Sequence, residues 1–483
     1  MLTAKLTRRV GPEKAVDRWR WCLKSDKRNS GRAVRAAPDF NSTSRSLRPV
    51  SVYDQAPQMK KLLRRILVIG VAVLIVSAPP CTAYSVLTHE AIIDVLWDTN
   101  IRPLLLKRFP DATPDELSKA HAYVYGGAII QDIGYYPYGK KFVSDLTHYF
   151  RSGDFILSLI RNSQDLNEYA FAIGSLAHYA ADNYGHRLAT NVAVPVLYPE
   201  LGSKYGPVVT YEENPIAHIK TEFAFDVLQV AKGHYAPDSY HAFVGFEVSL
   251  PVLERAFRET YGLELRSIIS NEEKAANSYR HSVNGLIPKA TRVAWNLKQD
   301  DIQKDVPGIT RKKFLYNLSR ASYEKEWGKD YQRPTASDKF LGFLIRMLPK
   351  IGPLRILTFR TPTPETQKLF ENSFNTTVDR YRALLSDLGQ GRLQLVNDNF
   401  DVGEATPRGK YKLGDKTCAE LLDRLSKQRM AGVDQELKTQ LLVFYATKDS
   451  SSSGKKHDKS EARIQQEIKE LQGSPAVSTS AGQ

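Results

Sequence analysis

Apolar residues recur at three- and four-residue intervals from Thr88 to about Leu297, which is the spacing of helices that bury one face. Alternating patterns typical of strands are scarce in this part of the chain. The pattern therefore predicts an all-α, multi-helix fold, with long aromatic connections at Tyr135–Lys141 and Val194–Glu213. The predicted helices are Glu90–Asp98, Pro114–Ala128, Asp154–Arg161, Gln164–Asn183, Pro215–Lys232, Ser249–Tyr261 and Ser270–Asn284.

The pattern changes beyond Lys298, so we place a domain boundary near residue 300. A C-terminal, mostly helical region is predicted over 301–446, and a disordered tail over 447–483, rich in Ser and Lys. The part of the chain after Lys298 begins with a polar stretch at Asp300–Arg311 and an apolar stretch at Phe340–Phe359. An irregular loop at Val396–Tyr411 and a helix at Lys416–Lys427 follow, and the tail contains a predicted helix at Glu461–Leu471. The apolar stretch is broken by two prolines; an ordinary buried segment is favoured over a membrane-contacting element.

Residues 59–83 have the three zones of a secretory signal peptide. The basic start Met59–Arg65 precedes an apolar run, Ile66–Val76, that is shorter than the roughly 20 residues a membrane-spanning helix needs. Small side chains then lead to Ala83, after which we predict cleavage. Cleavage after Ala78 and an uncleaved membrane anchor are the alternatives. The prediction is export from a bacterial cell into the periplasm or the medium, with residues 84–300 as the first mature domain.

The 58 residues before this segment are rich in Arg and Ser and show little periodicity, so we interpret residues 1–58 as an unstructured extension or a gene-start error. Of the three cysteines, only Cys418 follows the predicted cleavage point, which excludes an intramolecular disulfide in the mature chain. We expect the mature protein to be a monomer.

Net charge changes along the chain and limits the classes of partner. The whole sequence is strongly basic, with 68 Lys and Arg against 53 Asp and Glu. Residues 1–83 hold 17 basic and 5 acidic side chains, which leaves 51 against 48 in the rest. A nearly neutral mature chain disfavours nucleic acid as the partner.

Two predicted helices carry imidazoles and carboxylates at four-residue spacing. His178, Asp182 and His186 lie one turn apart, and His218 and Glu222 repeat the pattern farther along. Residues four apart share a helix face, so each set would present its side chains together. Imidazole nitrogen and carboxylate oxygen are ligands that zinc takes. The spacing therefore predicts a site for more than one zinc ion.

Upstream motifs extend this pattern: Tyr84-Ser-Val-Leu-Thr-His89, then Asp132, then His148. In order and spacing, the whole set resembles the zinc-dependent phospholipase C/D family, which includes bacterial phospholipase C and the amino-terminal domain of glycosylphosphatidylinositol-specific phospholipase D. Single-strand zinc nucleases share the fold and the ligand order. The four-residue spacing from Asp182 to His186 is similar to the phospholipase D-type branch, since the other branches have six.

The resemblance implies an all-α domain with a trinuclear zinc cleft and two to three zinc ions. One ion would be held by Asp132, His148, His178 and Asp182, a second by His186, His218 and Glu222, and a third by Tyr84, His89 and the bridging Asp182. The third set needs the free amine and carbonyl of Tyr84, which agrees with cleavage after Ala83. Asp132 would also orient or deprotonate the attacking water.

Other candidate residues are interpreted as structural. A single imidazole on a helix is more often a packing residue than a ligand, and this applies to His121, His234, His241, His281 and His457. The aromatic loop contains Tyr135, Tyr136 and Tyr138. Such a loop is typical of a phosphate-binding cleft or a lipid-contacting surface, and it is equally typical of simple packing.

The resulting functional hypothesis is an exported zinc-dependent phosphodiesterase that hydrolyses the headgroup phosphate ester of phospholipids at a membrane surface through a zinc-activated water. The alternatives are a zinc nuclease or other phosphodiesterase, and a non-catalytic, zinc-stabilised envelope module. The headgroup and the choice between C-type and D-type cleavage stay open.

Overall fold

Helices form the described part of the chain. The computed structural model describes residues 86–231, 245–283, 358–446 and 455–477, together with Asp300 and Lys304. The α-helices are α1 Val86–Leu96, α2 Arg102–Arg108, α3 Pro114–Gly127, α4 Lys141–Tyr149, α5 Ser152–Arg161, α6 Leu166–Gly185, α7 Asn191–Leu197, α8 Pro199–Tyr205, α9 Pro215–Ala231, α10 Leu250–Tyr261, α11 Glu272–His281, α12 Pro364–Gly389, α13 Lys412–Lys427, α14 Gln435–Ala446 and α15 Lys455–Gly473.

Shorter helical turns join these elements. They are 3₁₀ turns at Ile130–Tyr135 and Leu265–Ser267 and π turns at Trp97–Ile101 and His186–Thr190. Within the described ranges β-structure is limited to two isolated bridges, so the predicted all-α fold class is confirmed. Of the helices seen there, none has the length and apolar character needed to cross a bilayer.

The predicted helices are present with ends shifted by a few residues, but the sequence pattern missed others. The predicted long connection Val194–Glu213 is wrong in part, because it contains most of α7 and all of α8. Pro195 lies inside α7, and a proline within a run argues against a helix. The helix predicted in the tail is longer than expected, since α15 covers Lys455–Gly473.

Helix α6 lies at the centre of the fold. Nearly all of its residues are buried, and an apolar surface all round is typical of a helix enclosed by others. Asp165 caps its start by accepting a hydrogen bond from the backbone N–H of Glu168 at 2.9 Å. Helices α3, α5 and α12 pack around it. The side chains of its second half are therefore held rigidly in the protein interior.

Two glycines allow α3 and α6 to approach closely. A methyl group at Gly174 would lie 2.0 Å from the carbonyl oxygen of Val124, and one at Gly127 would lie 2.0 Å from that of Phe171. Both distances are far below van der Waals contact, so neither position has room for a β-carbon. This close packing fixes α6 against the segment that follows α3.

The later helices share a core with the earlier ones. The Tyr381 hydroxyl on α12 donates to the Ile173 carbonyl on α6 at 2.9 Å, and Phe370 packs on Phe225 of α9 with ring centroids 4.8 Å apart. Helix α13 contacts α4. Most of the apolar segment Phe340–Phe359 lies outside the described residues, but its last residue, Phe359, is buried against Phe223.

Candidate metal centre

The first ligand group joins α6 to α4 and to the turn after α3. The Nε2 atoms of His178 and His148 lie 3.1 and 3.4 Å from Oδ2 of Asp182, and 3.3 Å from each other. Oδ1 of Asp132 lies 3.3 Å from Nε2 of His148. These four side chains are almost completely buried. Two imidazoles and two carboxylates thus converge on one small volume.

The protonation pattern of the two imidazoles favours a cation at this point. Nδ1 of His178 lies 3.0 Å from the Ala128 carbonyl oxygen, and Nδ1 of His148 lies 2.7 Å from that of Ser144. A carbonyl oxygen only accepts, so each Nδ1 carries a proton. In the neutral rings, both Nε2 lone pairs then face the carboxylate of Asp182. Such an arrangement is repulsive unless a proton or a metal ion occupies the centre.

His89 approaches the same centre from α1. Its Nε2 lies 3.4 Å from Oδ1 of Asp182, the oxygen on the far side from His148, and its ring stacks on His178 at 4.8 Å. The start of α1 is fastened to α9, because Asp226 accepts from the Leu87 N–H and from the Thr88 hydroxyl at 3.1 and 2.6 Å. Asp182 therefore contacts imidazoles through both of its oxygens, as a bridging ligand would.

The second ligand group lies where α6 ends. A π turn begins at His186, one helical turn after Asp182, and π turns are frequent at functional sites. Oε1 of Glu222 on α9 lies 2.7 Å from Nε2 of His218 and 3.3 Å from Nε2 of His186. The two imidazole rings meet edge to face at 4.8 Å. The cap of α9 by Asn214, which accepts from the Ala217 N–H, fixes the first turn that carries His218.

Asp401 is a further acidic residue at this group that the sequence analysis missed. Its Oδ1 lies 3.6 Å from Nδ1 of His186, and one ligand atom each from Asp401, His186 and His218 fall within 4.8 Å of one another. Asp401 belongs to the loop predicted at Val396–Tyr411. The signal available in the sequence was an acidic, Asn-rich run in an irregular loop, Asn397-Asp-Asn-Phe-Asp401.

The structure thus brings together eight of the nine predicted ligands. Two sets of ligands share Asp182. A third set consists of His186, His218 and Glu222. Tyr84 lies outside the described residues. Of the histidines interpreted as structural, His121 stacks on Trp97 at 3.7 Å and His281 is exposed. His234 and His241 lie outside the described residues, as does the side chain of His457.

The donor atoms of the centre fit zinc. Within the described ranges, both carboxylate oxygens of Asp182 and Glu222 and both ring nitrogens of His186 and His218 are buried and make no hydrogen bond of acceptable geometry. Burying polar atoms in this way costs free energy unless a partner compensates. Nitrogen and oxygen atoms converging at these distances are the donor set that zinc prefers.

The charges of the centre also attract cations. Burial disfavours the charged form of His148, but Asp132 and Asp182 outweigh it and raise the pKa of His148 to about 10. Burial opposes charge on His186 as well, but Asp182 and Glu222 raise its pKa to about 9. Burial raises and the imidazoles lower the pKa of Asp182, which ends well below its usual range. In the metal-free protein, protons on these imidazoles therefore neutralise part of the negative charge of the carboxylates.

Tyrosine rings border both groups. Tyr135 meets His148 edge-on at 6.3 Å, and Tyr211 meets His218 at 5.5 Å. Both rings are buried, whereas Tyr138 is 58% exposed. The ammonium of Lys141 lies 5.6 and 5.9 Å from the centroids of Tyr135 and Tyr211 and forms an ion pair with Asp145. The two inner tyrosines are therefore packing residues that also border the metal centre.

Comparison with known proteins identifies the domain. Residues 88–271 match the family described as zinc dependent phospholipase C. Comparison with curated proteins and with solved structures found no match. The matched segment includes His89 and the seven predicted ligands from Asp132 to Glu222, and it ends well before Asp401.

Proposed function

Because residues 88–271 form a zinc-dependent phospholipase C family domain, we propose that this protein is a zinc-dependent phosphodiesterase that hydrolyses the headgroup phosphate ester of phospholipids. The observation that carries the proposal is the convergence of Asp132, His148, His178, Asp182 and His89 on one buried centre, with His186, His218 and Glu222 beside it. A second class, the non-catalytic envelope module, has less support, because loss of catalysis would permit loss of ligands.

The residues divide into sets around shared atoms. Asp132, His148, His178 and Asp182 would hold one zinc ion, and His186, His218 and Glu222 a second; Asp182 with His89 and the amine of Tyr84 would hold a third. Zinc in such a site supplies water activation near neutral pH and neutralisation of charge on the phosphate. The protein contributes ligand orientation through the Ala128 and Ser144 carbonyls.

Asp132 is the proposed proton acceptor. Its carboxylate borders the centre at the 3.3 Å contact with His148, on the turn Ile130–Tyr135 and not on a long helix. A carboxylate beside the attacking water can orient it and take its proton as the bond to phosphorus forms. The ring of Tyr135, which is itself buried, borders this side of the centre through its edge-on contact with His148.

Phospholipid is favoured over nucleic acid as the substrate. The part of the chain after residue 83 is nearly neutral, with 51 basic and 48 acidic side chains, and nucleic-acid binding depends on clustered positive charge. We further propose that the protein is exported after cleavage at Ala83, that it acts at a membrane surface and that it is a monomer. The signal-like segment 59–83 supports export.

A product assay tests the proposal. Protein purified from exported material is incubated with vesicles of mixed phospholipids, and the products are separated. Diacylglycerol with phosphorylated headgroup indicates C-type cleavage, and phosphatidic acid indicates D-type cleavage. Single-stranded DNA and RNA are tested in parallel, and the His178→Ala variant is the inactive control. Hydrolysis of nucleic acid alone would replace the phospholipid substrate by the nuclease alternative, and no hydrolysis by zinc-loaded protein would favour the non-catalytic module.

A further inference from the structure

The carboxylate of Asp401 is held in a fixed orientation at the second ligand group. Its Oδ2 accepts from the Tyr211 backbone N–H at 2.9 Å and from the Tyr411 hydroxyl at 2.8 Å. Its own backbone carbonyl accepts from the Asn191 side chain at 2.6 Å. The residue is 2% exposed. Because hydrogen bonds hold both Oδ2 and the backbone carbonyl, the orientation of Oδ1 is fixed as well.

Oδ1 points at His186. It lies 3.6 Å from Nδ1 of that ring and makes no hydrogen bond of acceptable geometry to any residue in the described ranges. The other ring nitrogen, Nε2, faces Glu222 at 3.3 Å, and His218 contacts the same Glu222 oxygen. The two nitrogens of an imidazole point away from each other. Glu222 and Asp401 therefore face different nitrogens of the same ring, and a cation held by Glu222, His218 and Nε2 of His186 would leave Nδ1 to Asp401.

From this geometry we infer that Asp401 is a positioning residue for the second zinc ion: it accepts the Nδ1 proton of His186 and thereby directs the Nε2 lone pair to the metal. The inference rests on the proposed function only in requiring zinc at this group. A carboxylate behind a ligating imidazole fixes the ring orientation and makes the ligand more basic. His148 and His178 have backbone carbonyls in the same role.

The partner of His186 comes from a part of the chain that the family match does not cover. The match ends at residue 271, whereas Asp401 lies in the loop between α12 and α13. The preceding residue, Phe400, reaches the first group as well: its N–H donates to the His148 carbonyl at 3.0 Å, and its ring packs on His148 at 5.4 Å. Residues 400 and 401 thus connect the C-terminal helices to both ligand groups.

The Asp401→Asn variant gives a sharp test, because both groups that hold Oδ2 are donors. The amide oxygen must stay on that side, so the NH₂ group turns toward His186. It then donates to Nδ1, places the ring proton on Nε2 and blocks metal binding. We expect the zinc affinity of one ion to fall by about 10- to 100-fold, with the other ions retained. Competition titration with a chromophoric chelator measures this without any lipid substrate.

Two further variants make the test selective. Asp398→Asn is the matched control, since it makes the same chemical change on the same loop at a half-buried carboxylate that contacts no site histidine. It should bind zinc as the wild type does. Tyr411→Phe removes one of the two donors to Oδ2 and should weaken the same ion by a smaller factor, which also covers the case in which Asp401→Asn does not fold.

Each outcome decides the inference. Unchanged zinc affinity in both Asp401→Asn and Tyr411→Phe would overturn it, as would an equal loss in Asp398→Asn. In the zinc-loaded wild type, ¹⁵N spectra of labelled histidine should show His186 protonated at Nδ1, and protonation of neither ring nitrogen would contradict the inference. All these readouts are independent of lipid hydrolysis.

Discussion

The Ala128 carbonyl oxygen lies 3.0 Å from Nδ1 of His178 and fixes which nitrogen of that ring faces Asp182. Ala128 follows the last turn of α3, and His178 lies in the middle of α6. The close contact of these helices at Gly127 and Gly174 keeps the carbonyl in reach. The orientation of a proposed zinc ligand therefore depends on the packing of two helices.

Loss of His178 or Asp182 should remove the most metal. We expect two to three zinc ions in wild-type protein purified without chelator, and at least one fewer in His178→Ala and in Asp182→Asn, because each residue contacts several other ligands. Elemental analysis measures the content. The exposed His281→Ala variant is the control and should keep the full number. One ion or none in the wild type would rule out a multinuclear site.

Asp132→Asn should separate metal binding from proton transfer. Asparagine keeps an oxygen that can bind zinc weakly, but it does not accept a proton as a carboxylate does. If Asp132 accepts the proton of the attacking water, kcat should fall by about 10²- to 10⁴-fold even with saturating zinc. If it acts only as a ligand, added zinc should restore activity. Wild-type rates at ordinary zinc concentration would exclude both roles.

The metal-free protein should become less stable as pH rises. The folded-state pKa values of His148 and His186, about 10 and about 9, lie above the ordinary value of 6.5. A group with a raised folded-state pKa stabilises the protein fully below its unfolded pKa and loses that contribution as pH passes the folded value. The melting temperature without metal should therefore fall between about pH 6.5 and 10.

Zinc should reverse this trend. Imidazoles must lose their protons to bind metal, so zinc binds more tightly as pH rises, and the melting temperature gained on adding zinc should grow over the same pH window. Differential scanning fluorimetry with and without zinc from pH 6 to 9.5 measures both curves. A metal-free melting temperature that rises with pH would show that the imidazoles do not hold these protons.

The mature amino terminus should be Tyr84. Cleavage after Ala83 frees the amine that the third zinc set requires, and Asp226 holds α1 so that His89 faces Asp182. Amino-terminal sequencing of exported protein identifies the residue directly. A chain that keeps residues 59–83 should bind one zinc ion fewer and lose most activity. Equal zinc content and activity in the processed and unprocessed chains would mean that the amine is not a ligand.

Gly174→Ala should destabilise the protein by about 1–3 kcal/mol, because the added methyl group would overlap the Val124 carbonyl. Gly414→Ala is the matched control: it also lies in a helix, but the nearest atom to its new methyl group is 3.7 Å away. It should be neutral or stabilising by up to about 1 kcal/mol. Urea unfolding compares the two, and equal effects would contradict the role of close packing between α3 and α6.

The sequence predicted best those site residues that lie on the same helix, because their relative positions follow from helical geometry alone. His178, Asp182 and His186 are one turn apart on one helix, and His218 and Glu222 on another, so their shared faces follow from spacing alone. The resemblance to a known family supplied Asp132, His148 and His89, which lie on separate elements. The structure brings these residues to the same centre.

What the sequence did not predict depends on contacts between distant residues. Helix α4 is only nine residues long, and a helix this short is stabilised by its packing more than by its own propensity. Asp401 lies in a loop with no periodicity, and its approach to His186 follows from the packing of α12 and α13 on the earlier helices. The acidic run at Asn397–Asp401 marks this loop as a candidate, but no local pattern in the sequence gives its distance from His186.

Because Phe400 donates a hydrogen bond to the His148 carbonyl, the centre is complete only after the C-terminal region has been synthesised. During synthesis, the segment carrying His148 leaves the ribosome long before residues 400 and 401 do. Until they arrive, Phe400 cannot cover the His148 and His178 rings, and the order of synthesis delays the finished site. Zinc bound to an unfinished chain would therefore meet a more open and less rigid set of ligands than zinc bound after release.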